Sequence, residues 1–162
     1  MFPQPILDFA RNLLDAARTG GLHVVTAESC TGGLIAAALT EIAGSSDVVD
    51  RGFVVYSNPA KTELLGVPAE MIGEYGAVSE EVARAMAEGA LKRSGAQLAV
   101  SCTGIAGPAG ATPGKPIGLV HLAAARQGQT TLHAECRFGD IGRANVRMRS
   151  VEEALKLLLQ II

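Results

Sequence analysis

Tryptophan is absent from this 162-residue chain, and aromatic residues make up only 4% of it, although 48% of the residues are hydrophobic. The core must therefore be built from Ala, Val, Leu and Ile. Cysteine is scarce: Cys30, Cys102 and Cys136 form an odd set with no CxxC spacing. That pattern argues against a disulfide framework or a zinc site and reads as small buried thiols in a reducing cytoplasm. His23, His121 and His133 show no metal-ligand spacing, and neither HExxH nor an aspartate-rich run accompanies them. No metal and no cofactor is expected, and His121, in an apolar strand pattern, reads as a satisfied structural histidine. The net charge is only -2, without a dense run of Lys or Arg. This argues against a nucleic-acid surface but leaves room for a pocket holding one phosphate. No basic segment followed by an apolar one opens the chain, and no apolar stretch reaches membrane-span length. The expectation is a soluble, cytoplasmic protein without membrane contact.

The length suits one domain spanning residues 1–162. Phe9, Ala10, Leu13, Leu14 and Ala17 recur at helical spacing, and Gly20-Gly21 ends that helix. Leu22 to Ala27 reads as a strand, Leu34 to Ile42 as the helix after it, and Val49 to Ser57 as a second strand closed by Asn58-Pro59. Short helices are expected over Ala60 to Leu65 and Pro68 to Glu74. Ser79-Glu80-Glu81 caps a longer helix reaching about Arg93. A strand over Leu98 to Ser101 follows, and a loop rich in Gly and Pro runs beyond it. Ile117 to Ala125 and Thr131 to Phe138, parted by Gln127-Gly128-Gln129, look like a hairpin. Val151, Leu155, Leu158, Leu159 and Ile162 give a last helix its apolar stripe. The order predicts an α/β fold, a three-layer α/β/α sandwich around a mixed sheet. The Ala-rich faces are compatible with a homo-oligomer.

What the chain does contain is a repeated tetrapeptide at two strand ends, Ser29-Cys30-Thr31-Gly32 and Ser101-Cys102-Thr103-Gly104. Each leads into glycine-rich sequence, the first as Gly32-Gly33 before a helix, the second as a loop reaching Gly114. Ligand sites in α/β sheets lie at the carboxyl ends of parallel strands. A helix N-terminus carries unpaired N–H groups and the positive end of a dipole, which attract anions. N-capping and turn geometry alone select the same residue types. Ser29, Thr31 and Gly32-Gly33 exceed what one cap requires, and suggest a site for an oxyanion or a phosphate.

A serine nucleophile needs a base, and no Ser-His-Asp arrangement is visible. Lys61, in the segment Val55-Tyr56-Ser57-Asn58-Pro59-Ala60-Lys61, becomes a base if desolvation or a nearby cation lowers its pKa. Tyr56 is then placed to orient Lys61 or relay a proton. Lys61 is equally one of 14 basic residues, most of which simply solvate a surface.

Four runs carry a resemblance: TAESCTGGLIAAALTEIAGSS (Thr26 to Ser46), VVYSNPAKTELLGV (Val54 to Val67), YGAVSEEVARAMAEGA (Tyr75 to Ala90) and AVSCTGIAGPAGATPGKPIGLVHLA (Ala99 to Ala123). Together they closely resemble the CinA C-terminal domain family, over nearly the full chain. Stand-alone members, of the PncC type, are nicotinamide mononucleotide amidases. Longer members carry an additional N-terminal domain, for which this chain has no room. The resemblance implies hydrolysis of nicotinamide mononucleotide to nicotinic acid mononucleotide and ammonia, a step of pyridine nucleotide salvage. The family's serine falls on Ser29, its lysine on Lys61 and its tyrosine on Tyr56. Ser29 would attack the carboxamide carbon as Lys61 takes its proton, and water would hydrolyse the resulting acyl-enzyme.

The amides of Gly32-Gly33 are the oxyanion-hole candidates read from the turn alone. Ser101, from the duplicated motif, and Cys30 are rival nucleophiles. Strand alternation is expected to turn Ser101 into packing, and Cys30 lacks a histidine partner. Thr103, Gly104 and Gly107 are candidates for the ribose and phosphate. Arg143 and Arg147 are further phosphate candidates, with a solvated helix face as the alternative. Relatives show Gly-Asp-Arg directly, whereas here Ile141-Gly142 separates Gly139-Asp140 from Arg143. The competing readings are an amidase for another pyridine or nucleotide carboxamide, and a catalytically silent nucleotide-binding module associated with competence or DNA-repair proteins.

Overall fold

The computed structural model describes residues 1–162. In chain order it comprises α1 (Gln4–Thr19), β1 (Val24–Glu28), α2 (Leu34–Thr40), β2 (Val49–Val54), α3 (Asn58–Leu65), α4 (Ala69–Tyr75), α5 (Glu80–Lys92), β3 (Leu98–Gly104), β4 (Leu119–Arg126), β5 (Leu132–Arg137) and α6 (Arg143–Leu159). The sheet order is β2-β1-β3-β4-β5. β1 lies parallel to both β2 and β3, and β3, β4 and β5 run antiparallel to one another in turn. The mixed sheet inferred from helix–strand alternation followed by a late hairpin is the sheet observed.

Side-chain alternation splits the core in two. Leu98, Val100 and Cys102 of β3 pack with buried residues of α1, α2 and α6, whereas Ala99 packs with α5 and the ends of α3 and α4. Ala, Val, Leu and Ile supply nearly all of both clusters, as a chain without Trp requires. Each fully buried Leu, such as Leu155 and Leu158 of α6, contributes on the order of 1.5–3 kcal/mol.

Three boundaries shift in ways that matter for the site. β2 stops at Val54 rather than Ser57, because Ser57 serves as N-cap and its Oγ accepts from the Ala60 amide at 3.2 Å. α3 consequently starts at Asn58, with Pro59 in the first turn, where its missing N–H costs nothing. β3 runs on to Gly104, paired opposite Val120. On α5, a Cβ at Gly89 would collide with the backbone carbonyl of Leu65 at the end of α3. Glycine costs about 1 kcal/mol against alanine inside a helix. Here it lets α3, which carries Lys61, lie directly against α5. No helix is long and apolar enough to cross a membrane.

Candidate active site

The parallel strands β1 and β3 end side by side, with Glu28 opposite Cys102 and the Ser29 amide donating to the Cys102 carbonyl at 2.9 Å. Ser29 thus sits one residue past the strand, at its carboxyl end, 9% exposed. β2 ends beside it, the Val55 amide bonding the Glu28 carbonyl, and the chain turns through Ser57 into α3. That turn brings Lys61 back under Ser29: Nζ and Oγ lie 3.2 Å apart, and Lys61 is only 2% exposed. The ammonium donates to the carbonyls of Val55 (3.1 Å) and Tyr56 (3.3 Å) and to no carboxylate. Burial pushes the lysine below its ordinary value of 10.5, against a smaller upward pull from Cys30. A neutral amine has two N–H groups, which the two carbonyls take, so its lone pair is left facing the Ser29 hydroxyl.

A cleft of about 250 Å³ opens over this pair. Ser29, Cys30, Tyr56, Asn58 and Lys61 form one wall, Ala77 and Val78 a second, and Thr103 to Gly107, Ala109 and Gly110 of the long loop a third. Arg143, the first residue of α6, closes the mouth: Nη1 donates to the Gly107 carbonyl at 2.9 Å and Nη2 to Tyr56 Oη at 3.1 Å. The Tyr56 ring is otherwise open to solvent. Of the residues singled out in the sequence, Ser29, Lys61, Tyr56, Thr103, Gly104, Gly107 and Arg143 all line this cleft. Asn58, Ala77 and Val78 join them; they fall within the runs that carry the family resemblance but were given no role there.

Thr31, Gly32, Gly33 and Arg147 do not line it, and their expected part in ligand binding is corrected. The Gly32 amide donates to the Ser29 carbonyl (3.0 Å) and the Gly33 amide to Glu28 Oε2 (3.0 Å), so neither is free for an oxyanion. The anion expected at the start of α2 is supplied by the chain itself. The fully buried Glu28 carboxylate accepts from the amides of Gly33, Ile35 (3.0 Å) and Ala36 (2.9 Å). An acidic residue ending the apolar strand VVTAE was the signal for this role: a buried carboxylate must find donors. Thr31 is fully buried. Arg147 holds the same turn from outside, donating to the carbonyls of Cys30 and Thr31, each at 3.0 Å.

Ser101, the duplicate serine, points into the opposite layer, fully buried, and donates to the Ala83 carbonyl at 2.6 Å. Thr103 spends its hydroxyl on the Ala77 carbonyl at 2.7 Å, although its side chain borders the cleft. His121 is satisfied by His133, Nδ1 to Nε2 at 2.9 Å.

The fold is that of several solved structures. The competence/damage inducible protein CihA from Agrobacterium tumefaciens superposes with a TM-score of 0.98 at 54% identity, covering 99% of this chain and 98% of that one. A competence-damaged protein (CinA) superfamily protein from Escherichia coli gives 0.92 at 35% identity, over 97% and 90% of the two chains. Among curated sequences, a CinA-like protein of Anaeromyxobacter dehalogenans is 52% identical over 138 residues, 85% of this chain but 33% of its own length. One from Mycolicibacterium gilvum is 54% identical over 143 residues, 88% of this chain and 34% of its own length. The chain thus spans about a third of the length of the curated relatives it matches. The family model of the CinA C-terminal domain matches residues 7–162, and the chain belongs to that family.

Proposed function

We propose that the protein is a nicotinamide-nucleotide amidase, hydrolysing nicotinamide mononucleotide to nicotinic acid mononucleotide and ammonia. The observation that carries the reading is the buried Lys61 amine 3.2 Å from Ser29 Oγ at the floor of a cleft, with no carboxylate holding it protonated. The choice of substrate rests on the family resemblance. Ser29 Oγ attacks the carboxamide carbon while its proton passes to Lys61 Nζ. Collapse of the tetrahedral intermediate breaks the C–N bond, and Lys61 returns the proton to the departing nitrogen, which leaves as ammonia. Water then attacks the acyl ester, again giving its proton to Lys61, and Ser29 is regenerated.

The oxyanion falls to the amide of Cys30. It follows the nucleophile, lines the cleft and makes no hydrogen bond within the protein. Losing such a donor costs ~10²–10³ in rate. Arg143 keeps N–H groups beyond the two it spends on Gly107 and Tyr56, and these face the substrate phosphate. Tyr56, held by Arg143, orders the mouth of the cleft.

Ammonia release from nicotinamide mononucleotide, with EDTA present, tests the reading. Wild type releases ammonia; Ser29→Ala and Lys61→Met, shown by circular dichroism to be folded, do not. Binding of the nucleotide by folded wild type without ammonia release refutes the amidase and leaves a silent nucleotide-binding module.

A further inference from the structure

Cys30 and Cys102 contribute no side chain to the chemistry above, yet their sulfurs lie 3.5 Å apart. The strand register forces them together. Cys102 stands opposite Glu28 in the parallel β1–β3 pair, and the turn that carries Ser29 into the cleft folds Cys30 back over it. Cys102 is fully buried, whereas Cys30 keeps 6% exposure and borders the cleft. The two thiols are in hydrogen-bonding contact, and their interaction lowers the Cys30 thiol and, with burial, raises Cys102 well above the ordinary value. Arg147, bonded to the Cys30 carbonyl, adds a smaller stabilising field. Thiolate character and access are what make one cysteine of a pair the site of attack.

We propose that Cys30 and Cys102 are a redox modification site: a hydroperoxide entering the cleft converts them to a reversible disulfide that withdraws Ser29 from Lys61. The Cys30 thiolate attacks the terminal oxygen of the hydroperoxide. The O–O bond breaks, the alcohol or water leaves with a proton, and Cys30 becomes a sulfenic acid. The Cys102 sulfur then attacks that of Cys30: the S–S bond forms, the S–O bond breaks and water departs. Each thiol gives up one electron, and the hydroperoxide takes two. Intracellular disulfides, where they occur, are characteristically transient and sensing.

The S–S bond is ~2.05 Å long, so the sulfurs close by roughly 1.5 Å from their present separation. Ser29 is covalently next to Cys30. A shift of 1 Å in its hydroxyl takes the 3.2 Å contact with Lys61 beyond hydrogen-bonding reach. Displacements of that size cost ~10² in turnover.

The effect on turnover rests on the proposed amidase; formation of the bond does not, and the two are read separately. Purified protein is treated with hydrogen peroxide and mapped by mass spectrometry without reductant. The expected result is a Cys30–Cys102 crosslinked peptide that dithiothreitol reverses. Cys136 stays free, because burial pushes its thiol up to about 11. Ammonia release falls tenfold or more and returns with the reductant. In Cys102→Ala no link forms, Cys30 advances to the sulfinic acid, and dithiothreitol does not restore turnover. Full alkylation of both thiols after peroxide overturns the proposal, as does a link that leaves ammonia release within twofold. If the reduced protein releases no ammonia at all, the amidase reading fails, and the peptide map alone decides the thiol pair.

Discussion

Replacing Glu28 by glutamine keeps the shape of the side chain and removes one of its functions. Oε2 accepts from the amides of Gly33 and Ile35, and Oε1 from that of Ala36. A glutamine keeps one oxygen for two of these donors and turns an NH₂ group toward the third. One charge-assisted hydrogen bond is lost, about 1.5–3 kcal/mol, and one buried N–H is stranded, a further ~1–3 kcal/mol. The negative charge at the start of α2 goes as well, but that loss overlaps with the first and is not added again. A total near 3–5 kcal/mol is a large part of the ~5–15 kcal/mol that holds a domain folded. At ~2–4 °C per kcal/mol for a domain of this size, Tm falls by about 6–20 °C in a calorimetric scan at pH 7. The turn being held is the one that presents Ser29, so ammonia release falls about a hundredfold at temperatures where the variant is still folded. A drop below ~2 °C, or full turnover, refutes the assignment of Glu28 as the clamp on the nucleophile's turn.

The proposed mechanism requires neutral Lys61, so kcat/KM is expected to rise with pH on a limb whose midpoint lies below the ordinary lysine value of 10.5. A midpoint at or above it means that burial does not tune the base. The same depression makes the unfolded chain bind the extra proton between the two pKa values, so stability also gains with rising pH there; this part of the gain disappears in Lys61→Met. Ser101→Ala retains turnover within a few-fold of wild type but loses ~0.5–1.5 kcal/mol in urea denaturation, because the buried hydrogen bond to the Ala83 carbonyl of α5 is gone. An inactive, folded Ser101→Ala protein removes Ser29 from the nucleophile's role. Arg143→Lys loses the fork that spans Gly107 and Tyr56; steady-state kinetics then show KM for nicotinamide mononucleotide rising about tenfold, near 1.4 kcal/mol, and kcat changing less.

The fold was legible because its strands announce themselves as short apolar runs after turn residues, and the late hairpin as two such runs about Gln127-Gly128-Gln129. The site was legible wherever one stretch of chain carries a residue into it: Ser29 from a strand end, Lys61 from a capped helix. Partnerships across the fold were hidden. The sequence marked Glu28 as a carboxylate in need of donors without naming Gly33 as one of them, and nothing in it told that Arg147 reaches across to carbonyls 30 and 31 while Arg143, one helical turn earlier, reaches the cleft. The two arginines differ by four positions and point to different tasks, which composition cannot separate. The two serines of the repeated tetrapeptide diverge for a similar reason. Ser101 still lies within β3 and alternation turns it into the layer beneath, while Ser29 lies just beyond β1, where alternation no longer rules.

Ser29 and Lys61 both come from the first βαβα half of the chain, between β1 and α3, whereas the loop wall opposite them is strung between β3 and β4. In the proposed amidase, bond breaking and ligand choice therefore fall to separate stretches of the chain, which Arg143 ties together across the mouth of the cleft. Loop grafts between residues 105 and 118 are for that reason the natural starting library for directed evolution. On the proposed reading, they alter which carboxamide is admitted while Ser29 and Lys61 stay seated in their own half.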